Sequence, residues 1–210
     1  MNFQSQKKIV LDFYDALQNS DIEETSDVLS KYCSDDLLWR GFHPFNEING
    51  LENLASEFWL PFRRSFTKVQ RRMDIFLAGS NSIVGNEGVW TVSMGHLMGL
   101  FDKPWLGIKQ TNKIAMLRYC EFSKIENGKI SEVAMFFDIP HLMIQAGLKP
   151  FLKETGISLV QPGPLTHDGL MFTEQNLNEG IRTKDIIENM INDVKTWKST
   201  NRDSLIQELH

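Results

Sequence analysis

Apolar positions recur every three to four residues over residues 5–18, where Ile9, Val10, Phe13 and Leu17 fall on one helical stripe. Ser20 with Glu23 three residues later has the form of a capping box. A second helix is therefore predicted from about Asp21, burying Ile22, Val28, Leu29 and Tyr32. Asp35 to Phe42 is short and aromatic and is closed by Pro44, which reads as a strand. Asn49-Gly50 supplies turn chemistry before a third helix from about Leu51, carrying Leu54, Phe58 and Trp59. Pro61 should end or kink that helix.

The period then shortens. Val69–Ala78, Ile83–Leu100, Ile114–Ile125 and Ile130–Asp138 are four extended runs. Gly79-Ser80-Asn81 separates the first pair and Glu126-Asn127-Gly128-Lys129 the last, and Asn-Gly between apolar runs signals a tight hairpin. Residues 101–110 form a longer loop. Pro140 opens a short helix that Gly147 ends. Helices followed by a meander predict an α+β unit over residues 1–148, with N-terminal helices packed in a strongly bent antiparallel sheet. Gly88 or Gly95 is placed to provide the bulge that such curvature requires. Residues 149–183 hold Pro150, Pro162, Gly163, Pro164, Gly169 and Gly180 with little periodicity, and read as an irregular connector lying over the main unit. Residues 184–210 read as a helical tail. Its Asp185–Val194 stretch repeats the pattern of Lys8–Leu17, which fits either an ordinary amphipathic helix or the start of a second copy of the fold.

Composition narrows the class. The 210 residues are 41% hydrophobic and 23% charged, too apolar for a disordered chain. No run approaches the roughly 18 apolar residues of a membrane span, and the first residues lack the apolar core of a secretory signal. With 27 acidic against 22 basic residues the net charge is −5, which argues against nucleic acid as a partner. Two cysteines, Cys33 and Cys120, fit a reducing cytoplasm better than a disulfide framework. Phosphate-binding glycine loops, CxxC pairs and HExxH are absent, so no cofactor and no metal is expected.

Polar residues inside apolar strands are the candidate chemistry, because a buried charge must be paired or used. Asp138 ends the last strand on the face of Ala134 and Phe136. A carboxyl at an apolar rim suits a general acid/base, whereas one preceding Ile139-Pro140 also suits a helix cap. His96 shares strand parity with Trp90, Val92 and Met94, as a proton-transfer partner or as a core histidine. Arg118 and Glu121 lie on opposite faces of one strand, so one of them faces inward and needs an ion-pair partner. His43 sits at a strand end, at a cavity mouth or on a surface loop. Cys120 reads as a small core residue. Trp39, Trp59, Trp90 and Trp105 come from different elements and could line one aromatic pocket or serve as core.

Glu121–Asp138, followed by Leu142-Met-Ile-Gln-Ala-Gly147, resembles the SnoaL-like polyketide cyclases of the nuclear transport factor 2-like (cystatin-like) superfamily. The shared pattern is a strand, an acidic-x-Gly-Lys-Ile turn, a strand ending in Asp, and a leucine-rich helix with Gln-x-Gly. Gly107 within Trp105-Leu-Gly-Ile108, the helical N-terminus and His43-Pro44 extend the resemblance over about residues 5–148. Lys109-Gln110-Thr111 replaces a Pro-Pro-Thr-Gly turn common in the family, and Val133-Ala134 replaces a tryptophan. The resemblance implies a cone whose sheet wraps a cavity, usually as a homodimer, or here as a pseudo-dimer with a second repeat. It implies a small apolar carbonyl-containing ligand and cofactor-free acid/base chemistry of cyclase, isomerase or hydrolase type. Asp138 then matches the catalytic position, His96 the cavity histidine, and Trp39, His43, Trp59, Trp90, Trp105 and Arg118 are candidate ligand contacts. The alternative is a non-catalytic ligand-binding or dimerisation module of the same superfamily.

Overall fold

The computed structural model describes residues 3–152 and 163–196. Residues 153–162 of the expected connector and 197–210 of the expected tail lie outside the described residues. The described residues fall into two compact units, those up to Glu174 and those from Gln175 onward.

In the larger unit α1 (Gln4–Asn19) buries Val10, Phe13 and Leu17 of the predicted stripe together with Tyr14, and Ile9 is half-buried. The next helix, α2 (Thr25–Tyr32), starts later than the capping-box pattern suggested. The Glu24 side chain accepts from the Asp21 backbone N–H at 3.0 Å inside a preceding turn. β1 (Cys33–Arg40) and β2 (Glu47–Asn49) form a small hairpin, and Gly50 leads into a helical stretch. That stretch is α3 (Leu51–Leu54), a π-helical turn (Ala55–Trp59) and α4 (Leu60–Ser65). Pro61 therefore does not end it. The wider π turn lies immediately before the proline, whose ring cannot supply the N–H of a continuous α ladder.

β3 (Phe66–Asn81), β4 (Gly88–Phe101), β5 (Lys113–Glu126) and β6 (Lys129–Phe137) follow as a meander. The six strands form one open sheet in the order β2-β1-β6-β5-β4-β3. The sheet is mixed rather than wholly antiparallel, because β1 runs parallel to β6. A parallel pair needs a long crossover, and everything from β2 to β5 lies between these two strands. No local pattern announces such a pairing. The first hairpin also turns later than expected: Gly79 pairs with Trp90 inside the ladder, and the turn spans the residues between Asn81 and Gly88. The Asn127-Gly128 hairpin turns where its sequence requires, both residues having positive φ.

Curvature comes from β3, which carries one extra residue between Thr67 and Gln70 and another, Asp74, between Met73 and Ile75. Gly95 lies opposite the second bulge. A Cβ there would stand 2.0 Å from the Arg72 carbonyl oxygen, so only glycine permits this approach. Past β6, helix α5 (Ile139–Gln145) packs on β5, and the Gln145 amide donates to Met116 O at 2.8 Å and accepts from Met116 N at 2.9 Å. One glutamine side chain thus continues the ladder where β6 has ended.

The described residues from Gly163 to Glu174 run along the free edge of β3. Phe76 N donates to Gly169 O at 2.8 Å and Met171 N to Phe76 O at 2.7 Å. The ammonium of Lys7 donates to Met171 O and Thr173 O at 2.5 and 3.0 Å. An exposed edge is thereby blunted. The smaller unit contains α6 (Leu177–Thr196), so residues 177–183 are helical and not irregular. Its Ile186, Ile187, Met190 and Val194 are exposed.

Candidate functional site

Alternation along three strands decides which side chains meet on the concave face. Thr91, Ser93 and Leu97 of β4, Leu117, Tyr119, Glu121 and Ser123 of β5, and Val133, Met135 and Phe137 of β6 are all buried. Helices α1 and α4 and the π turn cover this face with Phe13, Tyr14, Phe58, Trp59 and Phe62.

Glu121 is the one fully buried carboxylate among the described residues, at 2% exposure. Its Oε1 accepts from the Tyr14 hydroxyl at 2.8 Å and from Ser123 at 3.1 Å, and its Oε2 accepts from Arg71 Nη1 at 2.9 Å. The Arg71 guanidinium lies 3.7 Å from the Tyr14 ring centroid and 4.4 Å from that of Tyr119, a cation–π sandwich. The Tyr119 and Ser93 hydroxyls share a hydrogen bond of 2.8 Å. Four elements, α1, β3, β4 and β5, therefore converge on one network. Burial pushes the Tyr14 phenol well above its ordinary value, and the neighbouring Glu121 charge adds to this. The Tyr119 phenol is also raised, chiefly by burial. Burial alone would lower Arg71, but Glu121 and the two tyrosines outweigh it and hold the guanidinium charged.

A cavity of about 280 Å³ opens beside this network. Tyr14, Trp59, Phe62, Phe66, Leu97 and Arg71 form its buried wall, and its rim is polar and exposed. The volume falls just below the roughly 300–1,000 Å³ usual for small-ligand sites.

The structure distributes the sequence candidates unevenly. Asp138 is the N-cap of α5, its Oδ1 accepting from His141 N at 3.0 Å, and it is half-buried. The alternation that places Met135 and Phe137 inside gives Ala134 and Phe136 the opposite face. His96 keeps the predicted parity with Trp90, Val92 and Met94, but that side of the sheet faces away from the Glu121 network. It is buried there, with Nδ1 3.5 Å from Asp74 Oδ2 and Nε2 without a hydrogen-bond partner. Arg118 pairs with His96 across the strands on that same side.

Of the four candidate tryptophans, Trp59 lines the cavity. Trp39 stacks on Phe58 at 5.2 Å and Trp105 meets Phe62 edge-on at 5.4 Å, both within the core. Trp90 lies on the outer side, donating from Nε1 to Asn86 O at 2.9 Å. His43 is exposed in the β1–β2 loop. Among the described residues no group of three or more His, Cys, Asp or Glu side chains is placed to hold a metal ion. No described helix is long and apolar enough to cross a membrane.

Tyr14 and Arg71 carry no mark of this role in the sequence. Tyr14 occupies a core position of the α1 stripe and looks like ordinary packing. Arg71 sits in Lys68-Val-Gln-Arg-Arg72, where two bulges scramble the alternation that would mark it as inward.

No protein-family model matches this chain, and no curated protein does. Solved structures do. A protein assigned as a SnoaL-like polyketide cyclase from Jannaschia sp. superposes with a TM-score of 0.53 at 18% identity, covering 71% of this chain and 96% of the other. AclR from Streptomyces galilaeus, assigned as a hydroxylase, gives 0.56 at 14% identity over 72% and 87%. IdmH from Streptomyces antibioticus, assigned as a polyketide cyclase, gives 0.53 at 13% identity over 67% and 97%. The larger unit thus shares the fold of these SnoaL-like proteins, an α+β arrangement with a curved, open sheet.

Proposed function

We propose that this protein is a SnoaL-like small-molecule enzyme, acting on a carbonyl compound by cofactor-free acid/base chemistry in the cavity beside Glu121. The observation that carries this reading is the buried Tyr14–Glu121–Arg71 cluster, two members of which line an otherwise apolar wall. A carbonyl oxygen set against the Arg71 guanidinium is polarised, which acidifies the neighbouring C–H and stabilises the enolate that follows. Tyr14 stays protonated because its phenol is raised, and its hydrogen already points at Glu121. As the ligand's proton moves to the Tyr14 oxygen, the phenolic proton moves to Glu121 Oε1. The reverse shift returns it to carbon or oxygen in the product. Several solved neighbours of this fold are assigned as polyketide cyclases, which supports the reaction class.

The second reading, ligand binding without catalysis, is favoured by two observations. Glu121 is satisfied entirely by protein donors, and the Asp138 side chain caps a helix.

One experiment separates the readings. Small ketones and esters are incubated in D₂O, and exchange of their α-protons is followed by NMR for wild type, Tyr14→Phe and Asp138→Asn. The proposal expects wild-type exchange, a loss of roughly 100-fold or more in Tyr14→Phe, the usual worth of an acid/base group, and little change in Asp138→Asn. Asn caps helices about as well as Asp, so the last variant should fold normally. Exchange lost in Asp138→Asn but kept in Tyr14→Phe would move the chemistry to Asp138. Ligand binding with no exchange in any form would make the protein a binding module.

A further inference from the structure

We propose that the cavity selects an amphipathic carboxylate: its anionic end sits at the rim formed by Arg64, Lys68 and Lys103, and its apolar, carbonyl-bearing body reaches the wall at Tyr14 and Arg71. This rests on the functional reading above and names its substrate class.

The charge around the cavity runs against that of the molecule. The chain carries a net charge of −5, yet Arg63, Arg64, Lys68, Arg71 and Lys103 line this one cavity against a single carboxylate, Asp21. Two of the five cations are committed. Arg63 donates to Ser20 O and to Thr25 Oγ1, both at 2.6 Å, which ties it to the loop between α1 and α2. Arg71 is held by Glu121. Arg64, Lys68 and Lys103 are exposed and join no ion pair among the described residues. The acid nearest in sequence to Lys103 is Asp102, and its Oδ2 accepts from Thr67 at 2.7 Å.

Backbone geometry adds a second observation. Lys68 lies in the first bulge of β3 with φ of 52°, a left-handed conformation that a lysine rarely adopts. Strained positions of this kind gather at ligand sites. Here the bulge puts a lysine on the cavity lining in place of a regular edge residue. Three cations outside any ion pair, against one carboxylate in the lining, raise the local potential and attract anions, while the wall of Trp59, Phe62, Phe66 and Leu97 rewards an apolar body. A neutral hydrophobe would satisfy the wall and leave the rim unpaired. A small inorganic anion would satisfy the rim and leave the wall empty.

The test uses 4-oxo-4-phenylbutanoate and its uncharged methyl ester, titrated by calorimetry into the full chain. Wild type should bind the carboxylate about tenfold or more tightly than the ester at about 0.01 M salt, and the preference should shrink at about 0.2 M as screening sets in. In Arg64→Gln/Lys68→Gln/Lys103→Gln the preference should vanish, while ester affinity changes by no more than about twofold. These exposed positions tolerate glutamine, and a thermal scan confirms folding. The inference is overturned if the ester binds as well as the acid, if the triple variant keeps the preference, or if neither compound binds below about 1 mM. Failure of the catalytic reading looks different: carboxylate-selective binding persists, but no α-proton exchange is seen.

Discussion

A histidine enclosed by protein gives up its proton more readily than one in water, and His96 is enclosed at 5% exposure. Burial lowers its pKa. Asp74 works against this, and Arg118, His141 and Arg72 work with it. The unfolded chain takes up this proton near the ordinary value of about 6.5, and the folded chain only at lower pH. Stability attributable to His96 is therefore intact above about pH 6.5, declines as the pH falls below it, and is fully lost below the folded value. Urea midpoints at about pH 7.5 and 5.5 should differ more for wild type than for His96→Gln. Equal differences would show that His96 does not set the acid limb. The parity of His96 was legible in the sequence, as was its likeness to a buried histidine. Which side of the sheet forms the cavity was not, because Trp90, Val92 and Met94 are apolar enough to pass for a concave face.

At the scale of elements, local signals were legible where the physics is local. The α1 stripe and the Asn127-Gly128 turn each follow from a handful of neighbouring residues. The parallel β1–β6 pair and the two β3 bulges depend on distant strands, so no short window contains them. The glycines show the contrast. Gly79 resembles a turn residue but sits within the ladder, where an added Cβ would meet nothing within 4 Å. Gly95 resembles a strand residue but stands against the Arg72 backbone. Gly95→Ala should therefore destabilise by about 2 kcal/mol or more, since backbone must move to relieve the overlap. Gly79→Ala should be neutral or stabilising by up to about 1 kcal/mol, as alanine restricts the unfolded chain. Chemical denaturation of the two variants side by side tests the bulge. Similar values for both would mean that Gly95 does not govern the bend.

At the scale of the molecule, the Arg71–Glu121 pair connects α1, β3, β4 and β5 through Tyr14, Tyr119 and Ser93. Strand alternation alone requires that either Arg118 or Glu121 point inward and find a partner. It does not name Arg71, fifty residues away and inside a bulged strand. Such a pair binds the unit together without necessarily adding to its net stability, because both charges were removed from water to form it. The two deletions should therefore not add, because each single one leaves an uncompensated buried charge that the double does not. Arg71→Met leaves Glu121 buried with neutral donors only, and a cost of roughly 3–5 kcal/mol is expected. Glu121→Gln strands the guanidinium between two aromatic rings and should cost a comparable amount, while Tyr14 and Ser123 keep an acceptor. The double variant removes both charges, so its loss should fall short of the sum of the singles by about 2 kcal/mol or more, within the range measured for coupled neighbours. Urea unfolding of the four proteins gives this coupling directly. Additivity within about 0.5 kcal/mol would mean that the two side chains do not depend on each other in the folded state. The floor of the cavity would then have no fixed cation against which to polarise a carbonyl, and the catalytic reading would lose its electrostatic basis together with the structural one.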